Sequence, residues 1–313
     1  MRFLVLGAGA LGGYFGARLA DAGRDVTFLV RPRRAAQLAA TGLVVQSRHG
    51  DLTLPAPRCV GAEAVGGPYD VVIVGCKAYD LDAAIDAIAP AIGPTTAILP
   101  LLNGMQHLDV LSARFGAERV LGGLCLISAT LDDAGRVLHL NDLHELTFGE
   151  RDGTRSARVA AIEAACAPAR MTARASDAIV QEMWEKWVFI ASAAGATCLL
   201  RGAVGDIVAA GATDLAQGLY DECAAIAAAH GHAPRAEARE RGRGALAVAG
   251  SPIMASMLRD IERGAPTEGT HILGDLLARR TGAPGGVSLL RAADAHVRTY
   301  EARRAREAAA AAR

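Results

Sequence analysis

Three glycines near the start of the chain restrict its fold more than any other feature. Arg2-Phe3-Leu4-Val5-Leu6-Gly7-Ala8-Gly9-Ala10-Leu11-Gly12-Gly13-Tyr14-Phe15-Gly16 passes from a short apolar run into a helical pattern. Leu11, Phe15, Leu19 and Ala22 then recur at helical spacing. Gly7, Gly9 and Gly12 fall at the junction as G-x-G-x-x-G. Gly7 permits the tight turn, Gly9 lets backbone approach a pyrophosphate, and Gly12 lets helix and strand pack closely. The free N–H groups at the helix start then face the anion. With a strand before it and another at Asp25–Val30, the motif predicts a parallel α/β sheet. Its cofactor cradle is Gly7, Ala8, Gly9, Ala10, Leu11 and Gly12. A tight turn that binds nothing is the competing reading.

The second strand ends in Val30-Arg31-Pro32-Arg33-Arg34. A site specific for NAD places a carboxylate about 20 residues past the glycines, on the ribose 2′-OH. Here Val30 and Arg31 stand in that region, and the next carboxylate is Asp51. Arg31, backed by Arg33 or Arg34, fits a 2′-phosphate, so the expected cofactor is NADP(H). Asp70–Val74 and Thr95–Leu99 are further apolar strands, ending near Lys77 and Asn103. Carboxyl ends of such strands are where open α/β sheets bind ligands.

At 313 residues the chain has room for two domains. A formal net charge of +0 argues against nucleic acid as the main partner. The cysteines are scattered and read as reduced, mostly buried thiols of a cytoplasmic protein. No metal-ligand spacing is present, and His139 and His144 read as surface strand histidines. No run suits a membrane span; Trp187–Leu200 comes nearest and reads as a buried helix. Hairpins are expected for Leu43–Gln46 with Leu52–Leu54, and for Arg136–Leu140 with Glu145–Phe148. Past Ser176, a plausible N-cap, alanine-rich helical patterns replace the strands. The expected domains are therefore 1–170, a Rossmann dinucleotide-binding domain, and 171–313, an all-α domain. Gly–Pro breaks at Gly231–Pro234, Gly250–Pro252, Gly264–Pro266 and Gly282–Gly286 cut the second domain into helices. The tail Arg303–Arg313 is expected to fray or, in part, to extend the last helix.

The long helix after Ser176 carries the best catalytic candidate. Ile179, Met183, Ile190 and Ala194 share one helical face, and Lys186 lies on the same stripe. Such a lysine either snorkels or projects into a lined cavity, where it could serve as proton donor. Glu185 points elsewhere on the wheel and is expected to be solvated. Ser256, in a helical pattern, and Glu268, at a helix start, are later polar candidates. Helix capping competes with a functional role for Glu268.

GAGALG, VGCKAYD, LLNGM, WEKW and SMLRDIERGAPTE, in this order, resemble the ketopantoate reductases. The resemblance spans nearly the whole chain. It implies NADPH-dependent reduction of ketopantoate to pantoate, in pantothenate and coenzyme A biosynthesis, in a cleft between the two domains. It implies that Lys186 protonates the ketone oxygen and that Asn103 contacts nicotinamide region and substrate. It assigns Ser256 to the substrate carboxylate, and Glu268 to the substrate hydroxyl and the cofactor ribose. Lys77 is implied beside the cofactor and Arg31 on its 2′-phosphate. Partners are then a small 2-oxo acid and, as candidate assembly, a homodimer, with neither nucleic acid nor membrane. The family usually carries asparagines where this chain has Ile190 and Ala194. That departure points to a more apolar 2-oxo acid as the alternative substrate. A non-catalytic NADP(H) sensor is the reading from another class, and Lys186 with Glu268 speaks against it.

Overall fold

The apolar strand patterns assemble first into a parallel sheet. Residues 1–282 and 286–311 are described by a computed structural model. By its internal contacts the chain divides into two units, Met1–Leu102 with His107–Val180, and Asn103–Gln106 with Gln181–Arg313.

In the first unit, β1 (Arg2–Leu6) leads through α1 (Ala10–Asp21) to β2 (Asp25–Leu29) and α2 (Pro32–Thr41). Then come β3 (Leu43–Gln46), β4 (Leu52–Leu54), β5 (Cys59–Val60), β6 (Val71–Val74), α3 (Leu81–Ile88) and β7 (Ala97–Pro100). After α4 (Gln106–Phe115) come β8 (Gly122–Leu131), β9 (Val137–Gly149), α5 (Ala157–Cys166) and β10 (Thr172–Ala175). One sheet has the order β5-β2-β1-β6-β7, with every neighbouring pair parallel. Phe3, Leu4 and Val5 are fully buried, as a strand covered on both faces requires. The chain order reverses between β1 and β6, which puts a ligand crevice at their carboxyl ends.

A second sheet runs β10-β9-β3-β4, with β8 paired to β9. α1 packs against strands of both sheets, so its residues Gly12–Leu19 are all buried. The hairpin of β3 and β4 forms as expected, Leu43 opposite Leu54. The second expected hairpin does not. Val137–Leu140 of the first arm and Glu145–Phe148 of the second fall along one strand, β9, which pairs along β8. Between them the ladder slips: His139 faces Ala129 and His144 faces Ile127. Ser128 N–H donates instead to the Asn141 side chain at 2.9 Å, so a polar run that reads as a turn is a bulge.

The histidines of β9 are not simple surface residues: His144 is half-buried. His139 is buried, and its ring and that of His144 stack with His49. Tyr14 Oη lies 2.9 Å from His144 Nδ1.

The helical unit contains most of α6 (Ile179–Leu200), then α7 (Val204–Ala209), α8 (Thr213–Ala229) and α9 (Ala236–Ala245). α10 (Ser256–Glu262), α11 (Asp275–Ala278) and α12 (Leu289–Ala311) complete it. Ser176 Oγ accepts from Ala178 N–H, one residue before α6 begins. The break at Gly282–Gly286 and the end of the tail lie partly outside the described residues. α12 is helical through Ala311, so of the two readings of the tail from Arg303, helix extension is the one that holds. Burial pushes the thiols of Cys166, Cys198 and Cys223 up to about 12, which keeps them inert. Among the described residues no helix is long and apolar enough to cross a membrane.

Candidate active site

The glycine turn comes directly after β1. Gly7 has φ +85°, and its N–H donates to Leu29 C=O at 2.9 Å, fixing the turn against β2. A Cβ on Gly12 would lie 2.1 Å from Gly7 O and 3.1 Å from Val5 Cγ1, so no side chain fits there. Gly9 caps α1, and a Cβ added to it or to Gly7 meets nothing within 4 Å. The first turn of α1 carries no acidic residue and no side-chain cap. Open space above free N–H groups, with the helix held tightly beneath, suits a pyrophosphate.

The basic residues after β2 divide their work. Arg34 is half-buried and braces the turn: Nε donates to Ala8 O at 3.0 Å and Nη1 to Gly135 O at 2.8 Å. Its burial lowers its pKa. Arg31 is exposed, and Nη2 donates to Asp80 Oδ1 at 2.6 Å. Hydrogen bonding to Asp80 raises the Arg31 pKa. Lys77, half-buried, lies after β6 and precedes the turn Ala78–Asp80. Gly7–Gly12, Arg31 and Lys77 therefore share the carboxyl edge of the parallel sheet.

The remaining candidates belong to the helical unit. Lys186 is half-buried on α6, and it forms no ion pair among the described residues. Its stripe-mates Ile179, Met183 and Ala194 are buried, and Ile190 is half-buried. Glu185 overturns its expected solvation: its side chain is only 9% exposed. Arg235 grips it with Nε and Nη2, each at 2.7 Å, and Gln181 adds a bond at 3.1 Å. Burial pushes its pKa up, but the bonds to Arg235 and Gln181 together with the Arg235 charge outweigh that and hold it below the usual carboxylate value. Sequence reasoning missed the pair because Arg235 lies fifty positions away.

Ser256 is the first residue of α10, exposed, and makes no side-chain hydrogen bond among the described residues. Asn103 is half-buried beside Gly104, whose φ is +81°. Glu268 is half-buried and precedes a π-helical turn, Thr270–Gly274, a distortion often found at functional sites. Thr267 Oγ1 accepts from Gly269 N–H at 3.4 Å. A cavity of about 380 Å³ beside Glu222 and Arg280 contains none of the candidates. Among the described residues no cluster could hold a metal ion.

Comparison with known proteins matches residues 3–153 to "Ketopantoate reductase PanE/ApbA" and residues 178–289 to its C-terminal counterpart. The chain belongs to the ketopantoate reductase family. Its members include 2-dehydropantoate 2-reductases, so the chain is an oxidoreductase of this type. It is 38% identical over 303 residues to an uncharacterized oxidoreductase of Bacillus subtilis, covering 96% of this chain and 99% of that one. It is 30% identical over 290 residues to the 2-dehydropantoate 2-reductase of Mesorhizobium japonicum, covering 86% and 88%. The crystal structure of 2-dehydropantoate 2-reductase from Geobacter metallireducens superposes with a TM-score of 0.85 at 30% identity, covering 96% and 99%.

Proposed function

We propose that this oxidoreductase uses NADPH to reduce ketopantoate to pantoate, as a cytosolic enzyme of pantothenate and coenzyme A biosynthesis. The first unit, Met1–Leu102 with His107–Val180, serves as its cofactor unit, and Asn103–Gln106 with Gln181–Arg313 as its substrate unit. The observation that carries the proposal is Lys186, a half-buried ammonium without an ion pair among the described residues, in a chain of this family. NADP(H) fits the glycine turn, because Gly7 and Gly9 leave open space where a pyrophosphate needs it.

When bound, NADPH would supply the hydride. Lys186 Nζ gives a proton to the substrate oxygen as negative charge grows there, an interaction stronger in the transition state than before it. Ser256 Oγ donates to the substrate carboxylate, and the Asn103 amide orients the carbonyl. Glu268 accepts from the substrate hydroxyl. Arg31 would hold the 2′-phosphate of the cofactor, and Lys77 would lie beside the cofactor.

Ile190 and Ala194 favour a second reading, a more apolar 2-oxo acid on the same machinery. Asparagines at those positions would offer hydrogen bonds worth about 0.5–1.5 kcal/mol net each. NADPH oxidation with ketopantoate and a panel of 2-oxo acids separates the readings. Turnover of ketopantoate above all others supports the first, and preference for apolar side chains the second. Binding of NADPH without any turnover would overturn both.

A further inference from the structure

The π-helical turn Thr270–Gly274 holds several candidate groups at once. Ile272 C=O accepts from Trp187 Nε1 at 2.9 Å. Trp187 is fully buried and adjoins Lys186, so this bond fixes the lysine's stretch of α6. Glu268 C=O accepts from His271 N–H at 3.1 Å and from Ile272 N–H at 2.9 Å. The third attachment is His271, only 6% exposed. Its Nδ1 lies 3.3 Å from Gln106 Oε1. Gly104 packs so closely that a Cβ there would sit 3.2 Å from both His271 Cδ2 and His271 O. The Asn103 backbone carbonyl also interacts with the ring.

The loop 103–106 is thus moulded onto one imidazole. A π turn adds a residue to the helical ladder and so rotates the side chains beyond it by about 100°. An uninterrupted α-helix would present a different side chain to this loop. Burial of an imidazole carries a desolvation cost that an apolar ring of similar size would avoid. Desolvation indeed lowers the His271 pKa most, and Arg279 lowers it further, while Glu268, the Asn103 carbonyl and Asp275 raise it.

We propose that His271 is a positioning residue for the reduction, holding the Asn103 loop on the turn that begins after Glu268 and anchors the helix of Lys186. The proposal rests on the roles given above to Asn103 and Lys186. A misplacement of about 1 Å in such a group costs up to about a hundredfold in rate.

The test uses the full-length enzyme with NADPH and its best 2-oxo acid, with thermal melts to establish folding. His271→Phe is expected to lower kcat/KM by about tenfold to a hundredfold with NADPH affinity unchanged. His271→Gln, which keeps a polar atom for the loop, is expected to recover most of that loss. Adding His271→Phe to Asn103→Ala is expected to cost little beyond Asn103→Ala alone, because both disturb one group. Wild-type kcat/KM in folded His271→Phe, or losses that simply multiply, would overturn the proposal while leaving Asn103 in its role. An unaffected Asn103→Ala enzyme overturns the role of Asn103 and the proposal with it. If His271→Phe fails to fold, Gln106→Ala at the exposed partner replaces it, with the same non-additivity expected and additivity again decisive against.

Discussion

The Arg31 guanidinium donates to the Asp80 carboxylate at 2.6 Å, joining the residue before α2 to the turn after β6. The residue proposed to hold the cofactor's 2′-phosphate therefore already has an anionic partner. The two anions compete for one cation. With the Arg31 side chain 72% exposed, such a pair contributes about 0.2–1 kcal/mol, too little to forbid phosphate binding but enough to weaken it.

NADPH is expected to bind at least about tenfold tighter than NADH, a margin of about 1.4 kcal/mol. Asp80→Asn should tighten NADPH a few-fold and leave NADH unchanged, since only the 2′-phosphate needs Arg31. Arg31→Ala should erase the preference. Nucleotide fluorescence titrations read all three, and equal wild-type affinities would sink the assignment.

Ile190 and Ala194 are expected to weaken ketopantoate binding compared with asparagines. Ile190→Asn with Ala194→Asn should lower the KM for ketopantoate and raise it for apolar 2-oxo acids. Ala194 is only 3% exposed, so an unpaired amide there can destabilise α6, and melting comes before kinetics. An unchanged KM in the folded double variant would remove these positions from substrate choice.

The stack of His49 and His144, with ring centroids 3.7 Å apart, should make the first unit sensitive to acid. Burial, then His49, His139 and Arg18, lower the His144 pKa below its ordinary 6.5. Above that value both folded and unfolded chains hold the ring neutral. As pH falls through it, the unfolded chain takes the proton first, so stability is lost down to the folded-state value. His232, His271 and His296 are shifted in the same direction. Melting temperature should therefore fall from about pH 7 to pH 5, less steeply in His144→Gln. Parallel curves for variant and wild type would contradict this account.

Each signal was legible in the sequence according to the range over which it acts. The glycine turn is legible because its constraint is local: Gly12 cannot carry a Cβ beside Gly7 O in this strand–turn–helix path. Lys186 is legible because its stripe repeats at helical period. The bulge in β9 is hidden because Asn141 and Asp142 look like turn residues, and only β8 supplies the ladder that makes them a bulge. Glu185 and Arg235 pair across a loop and two helices that no local pattern connects. His271 gives no periodic sign of its contact with Gly104, because the π turn breaks the period by which it could be placed.

Lys186 is expected to be the general acid, and its removal should cost far more in kcat than in NADPH affinity. The lysine is half-buried on a stripe whose other members are largely buried. An ammonium there, without an ion pair among the described residues, is poised to favour an anion when one arrives. A substrate carboxylate offers some charge, and the ketone oxygen becomes a better partner only as reduction proceeds. Positioned proton transfer of this kind is worth about 10²–10⁴ in rate. Lys186→Ala should lose kcat on that scale, while the glycine turn, in the other unit, binds NADPH as before. Lys186→Arg should not rescue it, because a guanidinium is too weak an acid near neutrality and too broad for the same position. A snorkelling lysine would instead leave kcat intact and alter stability slightly. Steady-state kinetics of the folded, NADPH-binding alanine variant decide between them, and near-wild-type kcat would end the general-acid assignment.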